Sequence, residues 1–234
     1  MSIRIYSTAY QMPVSPEIWQ SLLSQLPVNM IQKIERYRRW QDAHGCLFGK
    51  HLLLAALRDE GFAGGLNDLR YTAYERPYLV DGPDFNISHS GTRVACILGN
   101  RGGVGIDLEE IRELVIADFK DQFSDQEWGI ILAAEKPLDA FYHFWTAKEC
   151  LSKADGRGLN LPLAGLNIEN NASVQLGERS WHIRALSWFR GYACHIASEE
   201  LAEEPSLREF SPAEILRLNL WDRADFRDLA GFPD

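Results

Sequence analysis

Two short stretches of the chain hold most of its chemically useful side chains. Gly105-Ile106-Asp107-Leu108-Glu109 places two carboxylates two residues apart. On a strand, side chains at i and i+2 share a face. Asp107 and Glu109 therefore project together, and Ile106 and Leu108 turn into the core. Neighbouring carboxylates repel, and a hard divalent cation relieves that repulsion. A lone D-x-E is a weak motif, however. The second stretch is Trp145-Thr146-Ala147-Lys148-Glu149-Cys150-Leu151-Ser152-Lys153. On a helix, Glu149 and Lys153 share a face with Trp145. By itself that is an ordinary surface ion pair worth about 0.2–0.5 kcal/mol. Added to Asp107 and Glu109, it gives three carboxylates and one lysine, a set suited to phosphoryl chemistry. A cation neutralises phosphate charge, a carboxylate takes a proton from the nucleophile, and the lysine supports the departing phosphate.

A third stretch, Phe85-Asn86-Ile87-Ser88-His89-Ser90-Gly91, supplies hydroxyls, an imidazole and a glycine turn. Together these can donate several hydrogen bonds to a phosphate. It is not a hydrolase nucleophile elbow, because G-x-S-x-G is absent.

The elements that must position these residues follow from local pattern. Residues 3–10 alternate as a first strand. Ser15-Pro16-Glu17 opens a helix, with Ser as N-cap and Pro at the first turn. Residues 29–59 keep helical spacing as one or two long helices. Gly45 and Gly49 inside them point either to close packing of another element or to a break. Extended segments follow at 69–74 and 76–80, and short strands at 85–88, 94–98 and 104–108, with a turn at Arg101-Gly102-Gly103. Ser124-Asp125-Gln126-Glu127 is a capping box. It opens a helix that stops near Pro137, and a further helix runs from about Asp139 to Ala154. Residues 166–198 read as strands, and Ser211-Pro212 starts a short C-terminal helix. The order of elements is α+β, divided near Gly102-Gly103 into halves of similar make-up.

Bulk properties narrow the function. The 234 residues are 46% hydrophobic and 24% charged, and the net charge is −9. That charge opposes general binding to nucleic acid or membrane surfaces. Lys33, Arg36, Arg38, Arg39 and Lys50 nevertheless gather against only Glu35 and Asp42. Such a segment suits a small anionic ligand, or is simply a solvated helix face. No apolar run is long enough to span a bilayer, and no secretory signal is visible. The four cysteines lack CxxC spacing and read as free thiols in a reducing cytosol. His51, His143, His182 and His195 lack metal-ligand spacing and read as structural, and Trp181 and Trp188 as core.

The ordered set Arg76-Pro77, FNISHSG (85–91), GIDLE (105–109) and FYHFWTAKECLSKADGRGLNLPL (141–163) resembles the 4′-phosphopantetheinyl transferase superfamily. The likeness spans about residues 30–200 and is closest to the long, two-half type that activates fatty-acid, polyketide and peptide synthases. It implies two similar subdomains about a pseudo-two-fold axis, each a small, mostly antiparallel sheet with helices, and a ligand cleft between them. The halves would be 1–103 and 104–200, with 201–234 as a C-terminal extension. It implies a cytoplasmic, monomeric enzyme that moves phosphopantetheine from coenzyme A to an acyl, peptidyl or aryl carrier protein, with Mg²⁺. Asp107, Glu109 and Glu149 match the metal ligands. Glu149 also matches the general base, and Lys153 the lysine beside the leaving 3′,5′-ADP. Arg76, Pro77, Ser88, His89, Asp107 and Lys153 match coenzyme A contacts. Relatives often carry an Arg near Ala43–Gly45 for the 3′-phosphate. Here Arg39 is the chosen substitute, with Lys33, Arg36, Arg38 and Lys50 as alternatives. Two other classes share parts of the pattern. A metal-dependent nuclease or phosphodiesterase is opposed by the acidic charge. A non-catalytic carrier-protein or nucleotide binder is opposed by the intact Asp107/Glu109/Glu149/Lys153 set.

Overall fold

A computed structural model describes residues 3–99, 102–168, 173–200 and 204–220. The first half begins with β1 (Ile3–Ala9), then α1 (Pro16–Leu23), α2 (Val28–Ile34) and α3 (Trp40–Asp59). A two-stranded hairpin, β2 (Leu69–Tyr71) and β3 (Pro77–Leu79), leads into β4 (Asp84–Ser90) and β5 (Arg93–Gly99). The second half holds β6 (Val104–Glu110), α4 (Asp125–Ala133), α5 (Pro137–Asp155), β7 (Ser173–Leu176), β8 (Arg179–Ala185) and β9 (Tyr192–Ser198). Last come β10 (Ser206–Glu209) and α6 (Pro212–Leu220).

The sheets run β10-β1-β5-β4 and β6-β9-β8-β7. All pairs are antiparallel except β1 with β10. The fold is therefore α+β, with small, mostly antiparallel sheets. Each sheet carries one long helix, α3 on β4 and β5, and α5 on β6 and β9.

Strand alternation explains the layering. In β5, Val94, Cys96 and Leu98 face the core under α3. Ala95 and Ile97 join Ile106, Leu108 and Ile196 in a second core shared by both sheets. In β6, Ile106 and Leu108 therefore point inward, as their spacing predicts. Gly105, Asp107 and Glu109 take the opposite face, toward α5.

Local signals account for the helix ends. Ser15 caps α1, accepting from the Ile18 N–H. Ser124 and Glu127 form the reciprocal capping box of α4. Gly156 ends α5 in the left-handed region at φ 91°, a conformation that disfavours any side chain.

Several expectations change. Region 29–59 is two helices, and the break lies at 35–39 rather than at a glycine. Gly45 and Gly49 are close-packing positions: a Cβ on Gly45 would sit 2.7 Å from the His89 ring, and one on Gly49 3.0 Å from Ile87. Strands begin at Ser173, not 166, after a 3-10 turn at Leu163–Gly165. Arg101 of the expected turn, residues 201–203 and residues 221–234 lie outside the described residues. The described part of the C-terminal extension completes the first half. Its β10 adds to the β1 edge, and α6 packs on α3. All four cysteines are free thiols. Among the described residues no helix is long and apolar enough to cross a membrane.

Candidate functional site

The site lies where β4, β6 and α5 meet. β6 presents Asp107, which is 2% exposed. Lys153, on the last turn of α5, points its ammonium at Asp107 Oδ1 (2.5 Å) and at the Ser88 hydroxyl of β4 (3.1 Å). The Ser88 hydroxyl donates to Asp107 Oδ1 (3.0 Å), and the Ser90 hydroxyl donates to Glu109 Oε2 (2.6 Å). Glu149 stands one turn before Lys153, on the same helix face.

Burial dominates the electrostatics. It pushes the Glu109 carboxyl up to about 7, and the Asp107 charge adds to the shift. Glu149 moves up for the same two reasons in the same order. Burial would lower the Lys153 ammonium, but Asp107, then Glu149 and Glu109, outweigh it and raise the group above the ordinary lysine range. Lys153 is therefore a fixed positive charge, and Asp107 makes Glu109 and Glu149 harder to ionise.

The donor types suit a hard cation such as Mg²⁺. Asp107 Oδ2 is buried without a hydrogen-bond partner, a position a cation would satisfy. Among the described residues, though, no three His, Cys, Asp or Glu side chains are already gathered as a ligand group. Lys153 holds the other Asp107 oxygen and supplies positive charge there. The residues fit the metal by chemistry and by the unsatisfied oxygen.

The expected ligand contacts divide. Arg76 is not a free cation. Its guanidinium takes both oxygens of Asp84 (2.7 and 2.8 Å) and donates to the carbonyls of Lys153 (3.1 Å) and Val104 (3.0 Å). It ties the first half to β6 and α5, and Gly156 leaves the room its side chain occupies. Ser88 is likewise engaged: its hydrogen goes to Asp107, and its oxygen accepts from the Leu108 N–H (3.2 Å) and from Lys153. A hydroxyl has one hydrogen and two lone pairs, and these three partners take all of them. His89 packs over Gly45, and burial, then Lys153, lowers its basicity.

Pro77 lines a cavity of about 660 Å³ with Lys33, Arg36, Cys46, Lys50 and Tyr71. Burial pulls Lys50 below the ordinary lysine range, and the described residues give it no acidic partner. Arg39 is outside this cavity. It is exposed at the N-terminus of α3, 3.9 Å from Asp42. This cavity therefore lends no support to Arg39 as the phosphate anchor, and Lys33, Arg36 and Lys50 line it instead. The basic segment is thus part pocket and part solvated face.

One node went unread in the sequence. Lys148, fully buried, pairs with Glu127 (2.7 Å) and donates to the carbonyls of Leu163 and Leu166 (2.8 Å each). Glu127 also receives the Ile168 N–H (3.1 Å). This ion pair pins α5 and α4 to the segment around 163–168. Its only sequence trace is the capping-box glutamate, whose second partner is a tertiary contact.

A family model described as the 4′-phosphopantetheinyl transferase superfamily matches residues 103–197, the stretch that holds β6 and α5. The chain is 32% identical over 180 residues to 4′-phosphopantetheinyl transferase Sfp of Bacillus subtilis (strain 168), covering 74% of this chain and 80% of that protein. The chain belongs to the 4′-phosphopantetheinyl transferase superfamily. A second Bacillus subtilis relative, 4′-phosphopantetheinyl transferase ffp, is 31% identical over 186 residues, covering 75% of this chain and 82% of the relative. The transferase gsp of Aneurinibacillus migulanus is 29% identical over 193 residues, covering 79% and 81%. In this superfamily member, the stretch matched by the family model takes in β6 and α5, and β4 lies before it.

Proposed function

We propose that this chain transfers the 4′-phosphopantetheine group of coenzyme A to a serine of an apo acyl, peptidyl or aryl carrier protein and releases 3′,5′-ADP. The observation that carries the reading is Lys153 Nζ between Asp107 Oδ1 and Ser88 Oγ, which brings α5, β6 and β4 to one charged point. Asp107, Glu109 and Glu149 would hold Mg²⁺, which when bound supplies neutralising charge at the pyrophosphate. Glu149, its basicity raised by burial and by Asp107, accepts the serine proton. The serine oxygen bonds to the β-phosphorus as the bond from that phosphorus to the bridging oxygen breaks. The bridging oxygen leaves with 3′,5′-ADP, and the Lys153 ammonium stabilises its charge. Positioning and electrostatics supply most of the acceleration.

The cavity beside Pro77 supports a refined placement of coenzyme A. Lys33, Arg36 and Lys50 would take the 3′-phosphate, with Pro77 and Tyr71 beside the base. His89 would contribute from β4. The halves 1–103 and 104–200 would contact the ligand from opposite sides of the β4–β6 boundary. We place the reaction in the cytoplasm, carried out by a monomer.

The test is incubation of the protein with several apo carrier proteins, coenzyme A and Mg²⁺, read by mass spectrometry. A gain of one phosphopantetheine per carrier is expected. No gain on any carrier, from folded protein, would refute the reading; metal-dependent cleavage of DNA or RNA instead would favour a nuclease.

A further inference from the structure

β4 and β6 run side by side, yet they belong to different sheets and share no backbone ladder. Four side chains of β4 join them instead. Asp84 Oδ2 accepts from the Val104 N–H (2.8 Å), Asn86 Oδ1 from Ile106 (3.0 Å), Ser88 Oγ from Leu108 (3.2 Å) and Ser90 Oγ from Glu110 (3.1 Å). The offset is a constant twenty residues, and the spacing of two is that of one strand face. Short polar side chains of the first half thus satisfy edge N–H groups of the second, which would otherwise be left without partners.

The four members are not equivalent. Asn86 serves the β6 backbone alone, and Asp84 adds Arg76. The two serines have a hydrogen left over, and each gives it to the carboxylate of the preceding β6 residue. Ser88 donates to Asp107 and Ser90 to Glu109. The backbone N–H fixes the hydroxyl oxygen, and the fixed hydroxyl then fixes a long, otherwise rotatable glutamate. A side chain held in advance loses less freedom when it takes a ligand.

We infer that Ser90 is a positioning residue, reaching across the boundary between the halves to hold Glu109 beside Asp107 ready for the divalent cation. The inference rests on the proposed metal role of Glu109. Partners that orient metal ligands typically contribute about 10–100-fold in metal affinity.

The test uses the full chain, freed of metal, and Mn²⁺ as the probe, with binding followed by electron paramagnetic resonance or calorimetry. Ser90→Ala should weaken Mn²⁺ binding by about 10–100-fold and raise the Mg²⁺ needed for half-maximal transfer in parallel. Ser90→Thr, which keeps the hydroxyl, should restore most of the affinity. Asn86→Ala loses a boundary bond of the same kind but orients no carboxylate. It should lower the melting temperature as Ser90→Ala does and leave Mn²⁺ affinity unchanged. If Ser90→Ala does not fold, Ser90→Val carries the same reading, since it keeps the shape of the threonine variant without a hydroxyl donor. Wild-type affinity in the Ser90 variants that lack the hydroxyl would overturn the role of Ser90 alone, and so would an equal loss in Asn86→Ala. Transfer activity in a wild type that binds no Mn²⁺ would overturn the metal reading and this inference with it.

Discussion

Gly105 of β6 lies directly beneath Cys150 of α5. A Cβ on Gly105 would collide with the Cys150 carbonyl oxygen and come within 2.6 Å of the Ala154 backbone nitrogen. The helix that carries Glu149 and Lys153 therefore rests on the strand that carries Asp107 and Glu109 with no side chain between them. That closeness lets Lys153 reach Asp107 at 2.5 Å.

Gly105→Ala should consequently damage both stability and activity. The obstacle is backbone, so the helix must lift away. Overpacking of this kind costs about 1–3 kcal/mol. Urea denaturation should show that loss, and transfer should fall further than stability explains, because Lys153 and Glu149 move with the helix.

Glu149→Gln tests the proton acceptor. It keeps the size and removes the basic oxygen. The transfer rate should drop by about 10²–10⁴-fold, while coenzyme A binding is largely retained. Unchanged transfer would remove Glu149 from the role of base.

The buried pair of Lys148 and Glu127 should be far more sensitive to single than to double substitution. Removing one partner strands the other charge in the core, at about 3–5 kcal/mol. Lys148→Met combined with Glu127→Leu removes both charges and should recover much of that stability. Denaturant midpoints of the three variants decide the point.

Lys50 and Arg39 separate the two placements of the phosphate anchor. A lost hydrogen bond to a charged group is worth about 1.5–3 kcal/mol, roughly 10–100-fold in affinity. Lys50→Ala should raise KM for coenzyme A by that factor with little change in kcat, the signature of lost uniform binding. Arg39→Ala should leave both constants as they are. The reverse result would restore Arg39.

Stability should also fall toward mild acid through buried histidines. Burial holds His51 down to about 4, with Nε2–H donating to the Leu22 carbonyl (3.1 Å), and holds His195 down to about 3. The unfolded chain takes up those protons near 6.5 while the folded protein does not. As pH falls from 6.5 toward 4, each histidine therefore removes up to about 1.4 kcal/mol per pH unit. Glu109, raised to about 7, acts in the opposite sense in metal-free protein. The measurement is thus the difference in slope between wild type and His51→Gln at one fixed metal concentration. Equal slopes would contradict the buried, neutral His51.

Much of the site was legible because its signals are short-range. The two-residue period of β6 set the directions of Ile106, Asp107, Leu108 and Glu109. The helical period of α5 placed Glu149 and Lys153 on one face, and Ser124 with Glu127 announced the start of α4. β10 was not legible: Ser206–Glu209 is a short edge strand whose pairing with β1 spans the whole chain. Nor was the set of basic side chains that line the cavity beside Pro77. Lys33, Arg36, Arg38, Arg39 and Lys50 are alike in type, and only the tertiary placement of α2, α3 and the β2–β3 hairpin separates the three that line the cavity from the two that do not.

The sequence by itself determined the α+β order and the superfamily likeness, and it singled out Asp107, Glu109, Glu149 and Lys153 as the candidate quartet, because residue type and local period suffice for each. Tertiary structure alone decided that Arg76 and Ser88 serve as fasteners, that Lys148 lies in a buried ion pair, and that Ser90 reaches Glu109. Those roles depend on which hydrogen-bond partner comes within about 3 Å across the two halves, a distance that chain folding sets and spacing along the sequence does not encode.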